Sequence, residues 1–121
     1  MIIMSIAGRN MQVTILKKER YAIATISGKI DATTSPQLED QLMDLIDDGF
    51  TYIILNLADV PYLSSAGLRI LMLLAKHLYG NGQLGLCNVQ ETVDEIIDMA
   101  GFKNFMILFP SQEDAEANIL C

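Results

Sequence analysis

The stretch Tyr52-Ile-Ile-Leu-Asn-Leu57, followed by Asp59-Val-Pro-Tyr-Leu-Ser-Ser-Ala-Gly-Leu-Arg69, decides the fold of this 121-residue chain. Its first part is a continuous apolar run, which is typical of a strand buried on both faces of a sheet. Further on, apolar residues recur at the spacing of one helical face, at Leu68, Leu71, Met72, Ala75 and Leu78. A buried strand that leads into an amphipathic helix predicts one unit of a parallel α/β sheet.

The same alternation extends in both directions from this unit. Strand-like runs occupy residues 11–16, 21–27, 84–87 and 105–109, and further helical faces are built on Leu42 and Ile97. The polar residues 17–20 form a turn, so the first two strands should pair as an antiparallel hairpin. The order β-β-α-β-α-β-α-β-α predicts an α/β fold with a mixed, mostly parallel sheet and about four helices. We expect the strands at 52–57 and 84–87 to be parallel neighbours in it.

Helix ends are indicated by residues suited to capping. Ser35 before Pro36 predicts an N-cap with proline in the first turn, and Gly49 predicts the end of the same helix. A second group of predicted caps comprises Asn88 with Glu91 in capping-box position, Gly101, and Ser111 with Asp114.

The amino-acid composition argues against several classes of protein. No apolar run approaches the ~20 residues of a membrane helix, and two cysteines, Cys87 and Cys121, make no disulfide framework or metal spacing. We therefore expect reduced thiols, a cytoplasmic protein and no membrane partner. Residues 30–121 hold fourteen acidic and three basic side chains, so most of the surface would repel nucleic acid. Residues 11–121 form the predicted domain, and residues 1–10 an N-terminal extension.

Polar residues at two strand ends are candidates for function. Ser64 and Ser65 lie between the buried strand and its helix, where a hydroxyl can either cap the helix or present a modifiable group to the helix N-terminus. Arg69 lies one helical turn beyond Ser65 and is within reach of a phosphate there. Asp31 can either close an Asx turn at its strand exit or present a carboxylate on the same edge as Ser65.

The sequence contains no evident set of catalytic residues. Ser65 lacks the Gly-x-Ser-x-Gly elbow of a hydrolase, and His77 lies twelve residues later on the same helix. At 1.5 Å per residue the two would be roughly 18 Å apart, beyond hydrogen-bond reach. No cluster of metal ligands is evident, and no cofactor is expected. A small hydrolase remains a weaker alternative that would need ester turnover dependent on Ser65.

A combination of four sequence features resembles the STAS family. The features are Gly28-Lys-Ile-Asp-Ala-Thr-Thr, the apolar strand, Tyr62-Leu-Ser-Ser-Ala-Gly-Leu-Arg and Gly101-Phe. The resemblance runs from about Met11 to Leu120, and it is greatest to the stand-alone bacterial anti-sigma factor antagonists. It implies a STAS-like fold, no catalysis, and binding to a serine-kinase anti-sigma factor. It also implies that the kinase phosphorylates one serine to end binding and that a PP2C-type phosphatase reverses the modification.

Matched to the family motif, the phosphate acceptor is Ser65, and the family's loop aspartate corresponds to Asp31. The resemblance assigns the partner-binding surface to a small set: Asp31, Ser64, Ser65, Gly67 and Arg69. At Ser64 the family usually has aspartate, so this chain offers a second hydroxyl there. The alternative function is that of a STAS interaction module in another assembly, such as a lipid-transport complex or a sensory scaffold.

Overall fold

The computed structural model describes residues 2–7 and 11–121. The strands within these residues form a single six-stranded sheet. The strands lie in chain order: β1 (Ile2–Ala7), β2 (Met11–Lys17), β3 (Ala22–Gly28), β4 (Tyr52–Asp59), β5 (Gln83–Cys87) and β6 (Ile107–Phe109). The strands β1, β2 and β3 pair antiparallel, whereas β3, β4, β5 and β6 pair parallel. The predicted mixed sheet, its hairpin and the parallel pairing of β4 with β5 are confirmed.

In the described part of the chain four α-helices complete the fold: α1 (Ser35–Asp47), α2 (Ser65–Leu78), α3 (Glu91–Ala100) and α4 (Gln112–Asn118). Because the parallel strands follow one another in order, right-handed crossovers place α1, α2 and α3 on one face of the sheet. That face holds the larger core, in which Leu42, Leu71 and Ile97 are fully buried.

The last helix, α4, covers the opposite face. Ala115 and Ile119 pack with Ile23, Ile54 and Cys87 in a second, smaller apolar cluster. Polar contacts hold the helix in place as well: the Tyr21 hydroxyl donates to Glu116 Oε1 at 2.9 Å, and Asn56 Nδ2 donates to Gln112 Oε1 at 2.9 Å. Burial raises the pKa of the Cys87 thiol to about 11, so this sulfur is an inert part of the cluster.

The apolar run that decided the fold is buried on both sides. Ile53 and Leu55 belong to the core under α1–α3, and Ile54 belongs to the cluster under α4. All three side chains are fully buried. A strand with helices on both faces has no solvent-facing side, which explains the absence of polar alternation in its sequence.

Two predictions about the edges of the sheet need correction or addition. The predicted N-terminal extension, residues 1–10, contributes an additional strand, because Ile2–Ala7 pair with β2; residues 1 and 8–10 lie outside the described residues. The predicted strand at 105–109 is shorter, since Lys103–Phe105 form a 3-10 turn in which the Phe105 N–H donates to the Phe102 carbonyl at 3.0 Å.

Two predicted caps were wrong, and three helix boundaries were confirmed. Ser35 lies inside the first turn of α1, because Thr34 is the N-cap residue. Asn88 lies two residues ahead of Gln90, which is the N-cap residue of α3. Asn88 instead adopts a left-handed backbone with φ 56°, a conformation that asparagine tolerates. The helix ends near Gly49 and Gly101 and the cap at Ser111 are as predicted.

Candidate functional site at the carboxyl edge of the sheet

The junction between β4 and α2 assigns different structural roles to its two serines. Ser64 is the N-cap residue with extended backbone, and its Oγ accepts a hydrogen bond from the Gly67 N–H at 3.2 Å. Its carbonyl accepts the first helical bond, from the Leu68 N–H at 2.8 Å. The half-buried Ser64 hydroxyl is therefore used to begin the helix, as the capping interpretation predicted.

Ser65 is the first residue of α2, and its side chain is exposed. Within the described residues its hydroxyl has no hydrogen-bond partner. The free N–H groups of the first turn and the helix dipole lie beside it, and both favour negative charge at this position. The arrangement can accommodate a phosphate on Ser65 without loss of a structural hydrogen bond.

Asp31 closes a tight turn between β3 and α1. Its Oδ1 accepts from the N–H groups of Thr33 at 2.9 Å and Thr34 at 3.1 Å. The Thr34 hydroxyl accepts from the Asp31 N–H at 3.0 Å and donates to the Lys29 carbonyl at 2.8 Å. These bonds confirm the Asx-turn interpretation, and they explain why Thr34 rather than Ser35 is the N-cap residue of α1.

The Asp31 carboxylate also keeps its charge at the edge of the sheet. The Thr34 and Thr33 backbone N–H groups that donate to it hold its pKa below the ordinary value of 3.8. The side chain is half-buried, so one part of it faces the solvent. A structural turn and an ionised group on the surface are therefore combined in one residue.

The two junctions meet through backbone contacts. Ile30 and Leu63 form an isolated parallel bridge, and the Ser64 N–H donates to the Ile30 carbonyl at 3.1 Å. Asp31 and Ser64, one residue beyond each bridge partner, are therefore brought together at the carboxyl edge of the sheet. In open α/β sheets this edge is where binding sites form.

Gly67 permits this close approach. A Cβ atom at this position would lie 2.6 Å from Ile30 Cγ2, 2.7 Å from Leu63 Cδ1 and 3.1 Å from the Ile30 carbonyl oxygen. Ile30 and Leu63 are themselves buried and have little room to move. The absent side chain at Gly67 thus lets the first turn of α2 pack directly on the Asp31 loop.

Arg69 and His77 lie further along the same helix, and both are exposed. Arg69 is one turn beyond Ser65, and the described residues provide it with no ion-pair partner. His77, the one histidine of the sequence, lies in the last turn of α2, roughly 18 Å along the axis from Ser65. The imidazole is therefore too far away to act as a base on the Ser65 hydroxyl.

Sequence reasoning missed two features of this edge. Gln90 Nε2 donates to the Ala58 carbonyl at 2.8 Å and so ties the loop after β5 to the end of β4. Tyr62, beside the bridge at Leu63, has an exposed ring. A lone aromatic residue between a proline and a buried leucine gives no periodic signal of its exposure, since exposure depends on what packs over it.

Among the described residues, none of the helices combines the length and apolarity needed to cross a membrane. The same part of the chain contains no group of three or more metal-ligating side chains.

Comparison with known proteins assigns the family. The STAS domain model matches residues 12–115, and the chain belongs to the STAS family. It is 34% identical over 108 residues to BtrV of Bordetella bronchiseptica, a protein named as an anti-sigma factor antagonist, covering 88% of this chain and 93% of the relative.

Two solved structures share the fold. The crystal structure of an anti-sigma factor antagonist from Mycobacterium paratuberculosis superposes with a TM-score of 0.84 at 23% identity, covering 93% of this chain and 97% of the other. The Bacillus cell fate determinant SpoIIAA, solved in its phosphorylated form, superposes with a TM-score of 0.70 at 18% identity, covering 87% and 97%.

Proposed function

We propose that this STAS protein is an anti-sigma factor antagonist that binds a serine-kinase anti-sigma factor and is released when that kinase phosphorylates Ser65. A PP2C-type phosphatase would restore binding, and the exchange would take place in the cytoplasm. The observation that supports this best is the pair of serines at the start of α2. The Ser64 hydroxyl is engaged as the helix cap, whereas the exposed Ser65 hydroxyl has no partner within the described residues.

The partner surface in this proposal is the carboxyl edge formed by Asp31, Ser64, Ser65 and Arg69, whereas Gly67, also predicted to contact the partner, is buried and supports this edge from below. The bridge between Ile30 and Leu63 brings the Asp31 loop beside the start of α2, and Gly67 allows the contact. A partner that covers Ser65 would therefore also meet the Asp31 turn. Names of relatives such as BtrV support the role of antagonist for a protein of this family and size.

Phosphorylation would change the partner surface more than the fold. A phosphate adds about −1.5 to −2 charges at pH 7. The helix N-terminus and Arg69, which has no ion-pair partner in the part of the chain that the structure describes, can stabilise that charge on the protein itself. On the partner side, the new charge would have to be desolvated or would meet negative charge, and either effect weakens the complex.

The test is calorimetric titration of the purified serine-kinase anti-sigma factor with unmodified protein, phospho-Ser65 protein and the Ser65→Asp variant. We expect phosphorylation to weaken binding by about thirtyfold, equivalent to about 2 kcal/mol. Ser111→Asp is the matched control for Ser65→Asp, because both substitutions add one aspartate at the start of a helix. Aspartate is also a good N-cap, so the Ser111→Asp variant should fold. Equal affinity of the unmodified and phosphorylated forms would refute the switch.

A further inference from the structure

Tyr62 is a large apolar side chain that projects from the candidate edge. Its residue is 52% exposed, three positions before Ser65, and it has no hydrogen bond or ring contact within the described residues. Tyr79, at the far end of α2, is 65% exposed but packs edge-to-face on Phe105 with ring centroids 5.4 Å apart. Of these two exposed tyrosines, the one beside Ser65 is the one without an aromatic neighbour in the structure described.

The loop that bears Tyr62 is fixed on both sides of it. Val60 is fully buried, and its N–H donates to the Leu57 carbonyl at 3.1 Å. Leu63 is buried and forms the bridge with Ile30, and Pro61 has a restricted φ. The backbone at Tyr62 is therefore held in place before any partner arrives, so binding through this ring would cost little additional ordering of the chain.

From these observations we propose that Tyr62 is the apolar contact through which the partner kinase binds this edge, inserting its ring into a pocket lined by aliphatic side chains. The inference rests on the proposed function and adds to it a residue that contributes strongly to the affinity. Rigid, exposed tyrosines are enriched among the few interface residues that dominate binding energy. The site is continuous with the surface around Ser65, which the kinase must cover to phosphorylate it.

The position of Tyr62 also gives a physical reason for release. When the Tyr62 ring is buried in an apolar pocket of the kinase, Ser65 lies close to that pocket, because it is only three residues further along the chain. A phosphate on Ser65 would then have to enter a poorly solvated contact, where an unpaired charge is costly. The same closeness that makes Tyr62 useful for binding makes the complex sensitive to modification of Ser65.

The experiment compares the full chain with Tyr62→Ala, Tyr62→Phe and Tyr79→Ala by titration against the purified serine-kinase anti-sigma factor. We expect Tyr62→Ala to weaken binding at least about thirtyfold and Tyr62→Phe to stay within about threefold of the unmodified chain, since the ring rather than the hydroxyl is buried. Tyr79→Ala removes a tyrosine that is more exposed than Tyr62 and lies at the other end of the helix, and it should bind normally. Thermal unfolding of each variant shows whether it is folded, and Tyr62→Gln provides a second ring deletion if Tyr62→Ala is not.

Three results would overturn the inference while leaving the proposed function intact. They are unchanged affinity of the folded ring-deletion variants, an equal loss in Tyr79→Ala, and a self-association of the unmodified chain that Tyr62→Ala disrupts without affecting kinase binding. The last result would assign the ring to a second copy of this chain. No binding of the kinase by the unmodified chain would instead refute the proposed function.

Discussion

The two strand-to-helix junctions at the carboxyl edge use their polar residues differently. Between β3 and α1, the Asp31 carboxylate and the Thr34 hydroxyl are both engaged in hydrogen bonds that close the turn. Between β4 and α2, Ser64 is engaged in the same way, but Ser65 is left exposed. The comparison shows that an exposed hydroxyl lies next to residues whose hydrogen bonds form the turns, so a change at Ser65 need not disturb the fold.

The largest expected effect concerns phosphate incorporation at the second junction. With the cognate kinase and labelled ATP, we predict that Ser65→Ala abolishes incorporation, because its hydroxyl is the accessible one. Ser64→Ala should leave incorporation largely intact, because the Ser64 hydroxyl is engaged with the Gly67 N–H. Mass-spectrometric site mapping provides the measurement. Label on Ser64 in the unmodified chain, or undiminished label in Ser65→Ala, would contradict the distinction between the two serines.

Gly67→Ala tests the contact between the two junctions. The added Cβ meets buried side chains at 2.6 Å and 2.7 Å, so we expect the free energy of unfolding to fall by about 1–3 kcal/mol. The gain in helix propensity from alanine, about 1 kcal/mol, is included in this net expectation. Urea unfolding measures the change. Stability equal to that of the unmodified chain would mean that Ile30 and Leu63 can shift to admit the methyl group.

Ser64→Ala tests the capping role alone. Loss of the bond to the Gly67 N–H should lower the free energy of unfolding by about 0.5–2 kcal/mol. Ser111→Ala is the matched variant, since Ser111 Oγ accepts from the Asp114 N–H at 3.1 Å but begins a helix of only seven residues. We expect its cost at the lower end of that range. An unchanged Ser64→Ala variant would show that water replaces the cap.

The smallest expected effect is the pH dependence contributed by Asp31. Its folded pKa is lowered by backbone N–H donors, so the stabilisation it provides is present above the ordinary value of 3.8 and is lost as pH falls through the lower folded pKa. The difference in melting temperature between the unmodified chain and Asp31→Asn should therefore be constant near neutral pH and shrink below about pH 4. Asp59→Asn, at the end of β4, controls for the loss of one negative charge. A difference that does not shrink in acid would contradict the assignment.

Much of the fold was predictable because its signals are local. Each of these signals determines the structure of only a few neighbouring residues. Examples are the apolar run at Ile53 and Ile54, the helical spacing around Leu71 and the helix-ending Gly101. The Ser64 cap belongs to the same class, since its partner is the Gly67 N–H three residues on. The wrong caps at Ser35 and Asn88 show the limit. The hydrogen bonds between Asp31 and Thr34 make Thr34 rather than Ser35 the N-cap residue of α1. Asn88 has a left-handed backbone conformation and lies ahead of the N-cap residue of α3.

The sequence by itself determined the order of strands and helices from β2 onward, the burial of β4 and the capping role of Ser64, because each depends on periodicity or on bonds between near neighbours. Only the tertiary structure decided that the Ile30 carbonyl meets the Ser64 N–H, that Gly67 has no room for a side chain, and that Tyr62 is uncovered. The bond from Gln90 to Ala58, across 32 residues of chain, is of the same kind. Such contacts join segments that are distant in sequence and are set by how the strands align and the helices pack, which no local pattern encodes.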